Sequence, residues 1–525
     1  MEKVLLNGKL SCPARLGTGG RFHFIKTGGL LLFALLCGMQ AAAQAQQKYN
    51  YTYTLEEVLT LAQDQSPDAV RTRSAYLASY WQYRAYRANR LPSLSFSASF
   101  PDFSNQYTSV PIIDSAGSMI NVYSSSFINQ VSGILSISQN LPTGGVISVL
   151  SSLDRQDRFL NSLEQYEGAS YRTTPVSVNL RQSIFGVNEW KWDRKIEPLR
   201  YEEARRNYLK QMETISLRAI QYFFDLAAAQ QSLAIAEFNY ANNDTLHKIA
   251  QGRYNIGTIG ENDLLQSELN YLTAGSTLNQ AQLDVETSQN RLRSFLGFNE
   301  LVTVAIILPT RVPKTILDLE EVMVWSRKNN PDLIGYQRQL IEAEKSVASE
   351  KANTGLQADI NLSFGLNQTA TDFVDAYKDP RYMETARISL QIPILDWGRG
   401  KGRVRMAKSN QQVVQTQIDQ ALADFEQDVV LKVRQFNMQE TQFGIAAKSD
   451  TVAQKRYEVS KARFLIDKIT ITDMNNAQLD RDRSQQNFVN ALRNYWNYYY
   501  LLRQIALFDF IGNKPLEADF DELIK

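Results

Sequence analysis

One histidine beyond the first 45 residues and no cysteine after Cys37 leave this 525-residue chain little with which to do covalent or redox chemistry. His247 stands alone on a polar helical face, where a solvated side chain is the ordinary reading. Gly398-Arg399-Gly400-Lys401-Gly402 has the glycines of a phosphate cradle without Walker spacing, and reads better as a flexible junction between a strand and a helix. Trp190-Lys191-Trp192 and the aromatics of Asn494–Tyr500 could stack on bases. A net charge of +1, however, gives no electrostatic case for nucleic acid; interface anchoring or helix packing accounts for them. Two carboxylates remain, Asp263 and Asp473, each just past a helix-to-helix turn, where an aspartate can cap the following helix. There is no acid–base pair, metal cluster or thiol pair. Neither an enzyme nor a cofactor is expected.

The elements that position those aspartates are long helices. From Asn188 to about Tyr254 the chain has one proline, Pro198, and one glycine, Gly252. At 1.5 Å per residue that run spans roughly 100 Å. Ile215, Ala219, Tyr222, Leu226, Ala229, Leu233, Ala236 and Tyr240 alternate in steps of four and three, the 3.5-residue period that keeps one seam against a partner helix. The hairpin closes near Gly297.

Much of the chain is written twice. Leu55-Glu56-Glu57-Val58 returns as Leu319-Glu320-Glu321-Val322, and Ser66-Pro67-Asp68 as Asn330-Pro331-Asp332, both 264 positions later. Arg253-Tyr254 and Asp263 return as Arg463-Phe464 and Asp473, only 210 positions later. The difference of 54 is an insert in the first half, between about Phe100 and Pro175. It has strand-like pieces at Ser132–Asn140 and Val146–Ser152 around Pro142-Thr143-Gly144-Gly145, and reads equally as an additional hairpin or a long exposed loop. Each half opens on two helices, the first of them starting on a capping-box pattern, Thr54 with Glu57, in the first half. Alternating strands follow: Pro92–Phe100 with Val176–Phe185, and Ala358–Leu366 with Arg387–Leu395. Four strands cannot close a barrel. They form either a small soluble sheet or part of a wall shared between copies. Leu94, Phe96, Ala98 and Phe100 set against Ser93, Ser95, Ser97 and Ser99 suit an apolar outside and a hydroxyl-lined inside.

The N-terminus reads as an export signal. Lys3, Lys9, Arg15, Arg21 and Lys26 precede the apolar Gly28–Met39, and Ala43-Gln44-Ala45 fits a cleavage site. Both cysteines, Cys12 and Cys37, fall within it. No later stretch is long and apolar enough for a membrane helix, so a membrane location requires strands. Export and 100 Å helices together favour the shared wall.

These residues resemble the TolC family of outer-membrane efflux proteins. The resemblance lies in Leu-Glu-Glu-Val and Ser-Pro-Asp, Leu91-Pro92-Ser93-Leu94 entering a strand, Gln182-Ser183-Ile184-Phe185 leaving one, and Arg253-Tyr254-Asn255-Ile256-Gly257 before Asp263-Leu264-Leu265. It covers about Tyr53 to Phe508. It implies a fold that is mainly α with a membrane β-barrel: a tandem duplication of helix–helix–strand–strand–long helix–long helix. Three copies would share a twelve-strand barrel in the outer membrane of a Gram-negative bacterium and a twelve-helix cylinder in the periplasm. The expected divisions are a signal at 1–45, a first repeat at 46–298 (strands about 92–185, hairpin about 188–297) and a linker at 299–318. A second repeat follows at 319–508 (strands about 357–395, hairpin about 398–508), then a tail at 509–525.

The same resemblance implies an exit duct for small molecules or proteins, opened by a periplasmic adaptor and an inner-membrane transporter. Its adaptor-docking tips would hold Tyr254, Gly257, Gly260 and Asp263 in the first repeat and Phe464 and Asp467 in the second. Two glycines would permit the tight reversal of the first tip. Asp473 would line the closed periplasmic aperture, with Asn476 where the family has a second acid. Three copies of Asp473 would gather cations, one ring doing so more weakly than two. The rival reading is a periplasmic coiled-coil scaffold or adaptor that never enters a membrane.

Overall fold

The structure, a computed structural model, describes residues 49–524 except 114–116, 161–165, 299–301, 310 and 467. The segment read as an export signal lies outside the described residues, as do Asp467 and the beginning of the inter-repeat join.

Two copies of one helical plan organise the chain. In the first, α1 (Leu55–Gln65) and α2 (Pro67–Ala88) precede strands, then α3 (Glu189–Asn255) and α4 (Glu261–Leu296) make the long hairpin. In the second, α5 (Leu319–Asn329) and α6 (Pro331–Thr354) precede strands, then α7 (Arg399–Leu465) and α8 (Ile471–Ala506) follow. Helices α3 and α7 are both 67 residues long, and α4 and α8 both 36. The caps repeat as well. Thr54 and Glu57 form the expected capping box, and Asp318, 264 positions later, accepts from the Glu321 N–H. Ser66 and Asn330 likewise cap α2 and α6, each just before a proline that cannot donate to the preceding turn.

Packing follows the seam. Ile215, Ala219, Leu226 and Ala236 are buried, and Tyr222 lies against Phe295 with ring centres 5.0 Å apart. The first core gathers Val58, Phe223, Phe224 and Leu292; the second gathers Val322, Val433, Phe436 and Leu502. Near the hairpin turns the helices lie side by side in the order α4-α3-α8-α7, and further away as α2-α3-α6-α7. Ion pairs cross the α3–α6 contact, Arg338 to Glu203 at 2.6 Å and Lys210 to Asp332 at 2.6 Å.

At the other end lies one antiparallel sheet. Its strands are β2 (Ser93–Ile113), β3 (Met119–Asn140), β4 (Val146–Leu160), β5 (Tyr166–Ser183), β7 (Gln357–Ala370) and β8 (Arg381–Gln391), in that order. The insert is thus a hairpin within the sheet, not an exposed loop. Several strands run further than alternation indicated, because beyond the apolar band both faces become polar, as at Asp154, Arg155, Gln156 and Asp157. Register carries one row from Leu94 through Ile137, Val149 and Val178 to Phe364. The adjacent row runs Ser93, Ser138, Ser148, Asn179, Ser363, Thr385. Successive side chains point to opposite faces, so one face is mainly apolar, its row ending at Glu384 opposite Phe364, and the other mainly polar.

Two smaller elements depart from the sequence reading. Strand β6 (Val302–Ile306), inside the stretch read as a linker, pairs in parallel with β1 (Tyr49–Tyr53). The stretch read as a tail folds back: β9 (Phe508–Asp509) pairs with β10 (Lys514–Pro515), and α9 (Phe520–Ile524) brings Phe520 to 5.0 Å from the Tyr76 ring.

Candidate functional site

Helix α3 stops because Gly257 turns left-handed, at φ 76°, a conformation that strains any residue with a Cβ. The Gly257 N–H reaches the Tyr254 carbonyl at 2.9 Å, and the Thr258 N–H the Arg253 carbonyl at 2.9 Å. Gly260 does not share this role. At φ −79° it is the N-cap of α4 and offers no side-chain cap. Asp263, expected as the cap, stands in the first turn instead, its N–H on the Gly260 carbonyl at 3.1 Å. A carboxylate there still favours the positive end of the helix.

The second tip is built with a stronger cap. Thr470 is the N-cap of α8, and Asp473 is its partner three positions on, where the sequence suggested an N-cap. The Asp473 N–H donates to Thr470 Oγ1 at 3.1 Å, while Asp473 Oδ2 accepts from the Thr470 N–H at 3.2 Å and from Oγ1 at 2.8 Å. Asn476 lies one turn further on, exposed like Asp473.

Tertiary packing joins the tips. Arg253 donates from Nη2 to the Leu465 carbonyl at 3.2 Å, and its guanidinium lies 5.6 Å from the centre of the Phe464 ring. Between the turns is a cavity of about 480 Å³ lined by Arg253, Asp263, Phe464, Lys468 and Asp473 among others. Tyr254, Ile256, Leu465 and Ile466 are exposed around it. Most of the tip residues singled out in the sequence thus form one surface, with apolar side chains outside and residues of both charges lining the cavity. Above it, Arg481 is buried between the rings of Phe238 and Tyr457, 4.3 and 4.5 Å away, and donates to Asn239 Oδ1 at 2.9 Å. It ties α3, α7 and α8 together.

Residues flagged for other chemistry have structural partners. His247 Nδ1 lies 3.3 Å from Ser267 Oγ, and its ring stacks on Tyr271. The glycines after β8 cradle the chain's own carboxylate. The Gly400 N–H donates to Asp396 Oδ2 at 2.7 Å and the Gly398 N–H to Oδ1 at 2.9 Å. These two bonds, Gly400 first, hold the Asp396 carboxyl below its ordinary range. Trp190 lies under the Arg90 guanidinium at 4.8 Å. Among the described residues no group of three His, Cys, Asp or Glu side chains is placed to hold a metal ion.

Sequence reading missed the two outer helical edges. On α7, Leu431, Met438, Ile445, Val452 and Val459 recur every seven residues, each just over half exposed. On α4, Leu265, Leu269, Leu272, Ser276, Asn279 and Leu283 follow steps of four and three, and all are exposed. Both patterns are visible in the sequence, but only the helix order shows that, among the described residues, no helix of the same chain covers them.

The family model described as "Outer membrane efflux protein" matches residues 146–298 and 324–506, its first stretch opening on the first residue of β4. "Toxin and drug export protein A" of Aggregatibacter actinomycetemcomitans is 23% identical over 263 residues. That match takes in 49% of this chain and 55% of that protein, so the chain spans about half the relative's length. Among solved structures, the CmeC outer membrane channel of Campylobacter jejuni aligns at TM-score 0.60 and 15% identity, over 90% of this chain and 88% of that one. The outer membrane protein VceC of Vibrio cholerae aligns at TM-score 0.60 and 12% identity, over 88% and 97%.

Proposed function

Since this chain belongs to the outer membrane efflux protein family, whose members are channels and not enzymes, we propose that three copies join into one duct crossing the outer membrane and reaching into the periplasm. Through it an inner-membrane transporter, coupled by a periplasmic adaptor, expels small molecules or proteins, including cargo of the toxin and drug kind that one relative is named for. The duct itself is passive. Energy enters at the transporter, and opening is a population shift toward a state whose tips the adaptor binds better.

The observation that carries this reading is a coincidence of free edges. The sheet ends on β2 and β8. The upper helical layer ends on α2 and α7, and the lower on α4 and α7. Thus β2, α2 and α4 share one side of the molecule, and β8 and α7 the other. A sheet edge in lipid leaves backbone groups unpaired at several kcal/mol each, so a membrane sheet must close. Joining β8 and α7 of one copy to β2, α2 and α4 of the next satisfies strands and helical seams together, with every interface alike. A groove of about 680 Å³ along α7 and α8, lined by Ile445, Lys448, Val452 and Arg456 among others, is shaped to take side chains of the neighbour's α4.

In this duct the paired tips of α3–α4 and α7–α8 face the adaptor, with Tyr254, Gly257, Gly260, Asp263 and Phe464 on the docking surface. Asp467, outside the described residues, is assigned there on sequence alone. Asp473 and Asn476 line the closed aperture. The bond from Arg253 to the Leu465 carbonyl holds the second hairpin against the first, and an outward swing of α7 and α8 must break it. A periplasmic scaffold needs the helices but has no use for an apolar sheet face. Single-channel recording of the purified protein tests the reading. Trimers that resist dissociation until heated and conduct in planar bilayers are expected; a water-soluble monomer that leaves bilayers silent would sink it.

A further inference from the structure

Resting on the trimeric reading above, we propose that each copy contributes six strands to the membrane wall instead of four, so that three copies close an eighteen-strand barrel. The added pair is the β3–β4 hairpin. It is not laid against the sheet but inserted between β2 and β5, hydrogen-bonded along both sides. Its faces are in phase with its neighbours. Ile137 and Val149 continue the apolar row between Leu94 and Val178, and Ser138 and Ser148 continue the polar row between Ser93 and Asn179. A hairpin lying outside the lipid has no reason to keep that phase.

Its helix-side end is also built in. The Leu141 N–H donates to the Gly145 carbonyl at 2.8 Å, closing a short turn of the kind membrane barrels carry on the periplasmic side. Asn188, the N-cap of α3, donates from Nδ2 to the Pro142 carbonyl at 2.9 Å, and Gln182 from Nε2 to the Thr143 carbonyl at 3.2 Å. A Cβ at Gly145 would come within 2.7 Å of the Arg181 carbonyl, so the turn sits tight on the base of β5.

The register also suits closure. The polar row that starts at Ser93, the first residue of β2, reaches β8 at Thr385, six positions before the last residue, Gln391. With the helix-side strand ends at one level, six residues of rise over five strand spacings tilt the strands by about 40°, inside the range of membrane barrels. At that tilt six strands occupy about 38 Å of perimeter. Four helices side by side occupy about 32–40 Å, so wall and cylinder meet nearly flush. Four strands at the same tilt would cover only about 25 Å. Because diameter grows roughly linearly with strand number, the eighteen-strand exit is about one and a half times as wide as a twelve-strand one. Cargo size is then limited in the helical cylinder and not at the outer membrane.

The test uses the full chain with Cys12 and Cys37 replaced by serine and single cysteines added on both faces of the hairpin, reconstituted in lipid. Ser136→Cys and Ser148→Cys should react with a membrane-impermeant maleimide roughly tenfold or more faster than Leu135→Cys and Val149→Cys, because a thiol facing lipid does not ionise. Strand counting by electron microscopy of the same trimers should give eighteen. Equal labelling on both faces, or twelve strands with the hairpin outside the lipid, overturns this proposal and leaves the trimeric duct standing. Failure to form trimers overturns both.

Discussion

Replacing Ile445 and Val452 with alanine should weaken the assembly without unfolding the chain. The two side chains lie one heptad apart on the free edge of α7 and are 55% and 54% exposed. In the proposed trimer the neighbour's α4 covers that exposed half. The double variant removes five carbons. At about 0.8 kcal/mol per buried methylene, scaled by the exposed fraction, it forfeits about 2 kcal/mol at each interface and roughly 6–7 kcal/mol around a ring of three. The sites are about 10 Å apart along the helix, far enough for the losses to add. For a trimer, whose dissociation depends on the square of concentration, this raises the midpoint concentration a few hundredfold. Mass photometry across a dilution series in detergent reads that midpoint. Loss of packing within one chain would lower the melting temperature equally at every concentration, whereas loss of an interface shifts the midpoint. A double variant that stays trimeric to the same dilution as the parent shows that this edge covers nothing, and the argument from free edges fails.

Arg253→Ala should release the second tip from the first and raise the resting conductance of reconstituted channels several-fold; unchanged conductance would mean the contact to Leu465 does not hold the closed state. Asp473→Asn keeps an acceptor for the Thr470 cap but removes the charge, and should weaken block by multivalent cations from the periplasmic side. Block at the parent concentration would leave Asp473 with capping alone, worth about 1 kcal/mol. Acid dependence should centre on Glu213, which is buried and pairs with Arg503 at 3.0 Å. Burial raises its carboxyl above the ordinary 4.5, with Arg503 opposing. The stability this lends is present below pH 4.5 and lost as pH rises through the folded value. The parent should therefore lose stability relative to Glu213→Gln over the range in which pH rises above 4.5. A gap that stays constant across that range would show that Glu213 does not titrate there. Asp509 works with the opposite sign. Burial pushes its carboxyl up, but the Gly512 N–H, the Tyr499 hydroxyl and Arg503 together hold it below its ordinary value.

Much of the helical plan was legible because helices are local. Thr54 with Glu57, Ser66 before Pro67 and the steps from Ile215 to Tyr240 each state their role within a few turns of chain. The duplication was legible for the same reason, since two equal strings fold alike. Legibility stopped where a residue's role depends on a distant one. Asp473 looked like a cap, and only the backbone shows the cap to be Thr470, with the aspartate as its partner. The upper part of β4 lost its alternation where both faces become polar, so its length was hidden. Strand β1 is five residues long, and its partner β6 lies about 250 positions away.

By itself the sequence determined that this chain is mostly long helix, built twice, with amphipathic strands between, because those properties follow from spacing along the chain. Only the tertiary structure decided that the insert is a hairpin inside the sheet, that the two tips meet through Arg253, and that α4 and α7 are left uncovered. Each of those depends on which segment lies beside which. Side-by-side order is set by summed burial and hydrogen bonding over the whole chain, and no local spacing records it.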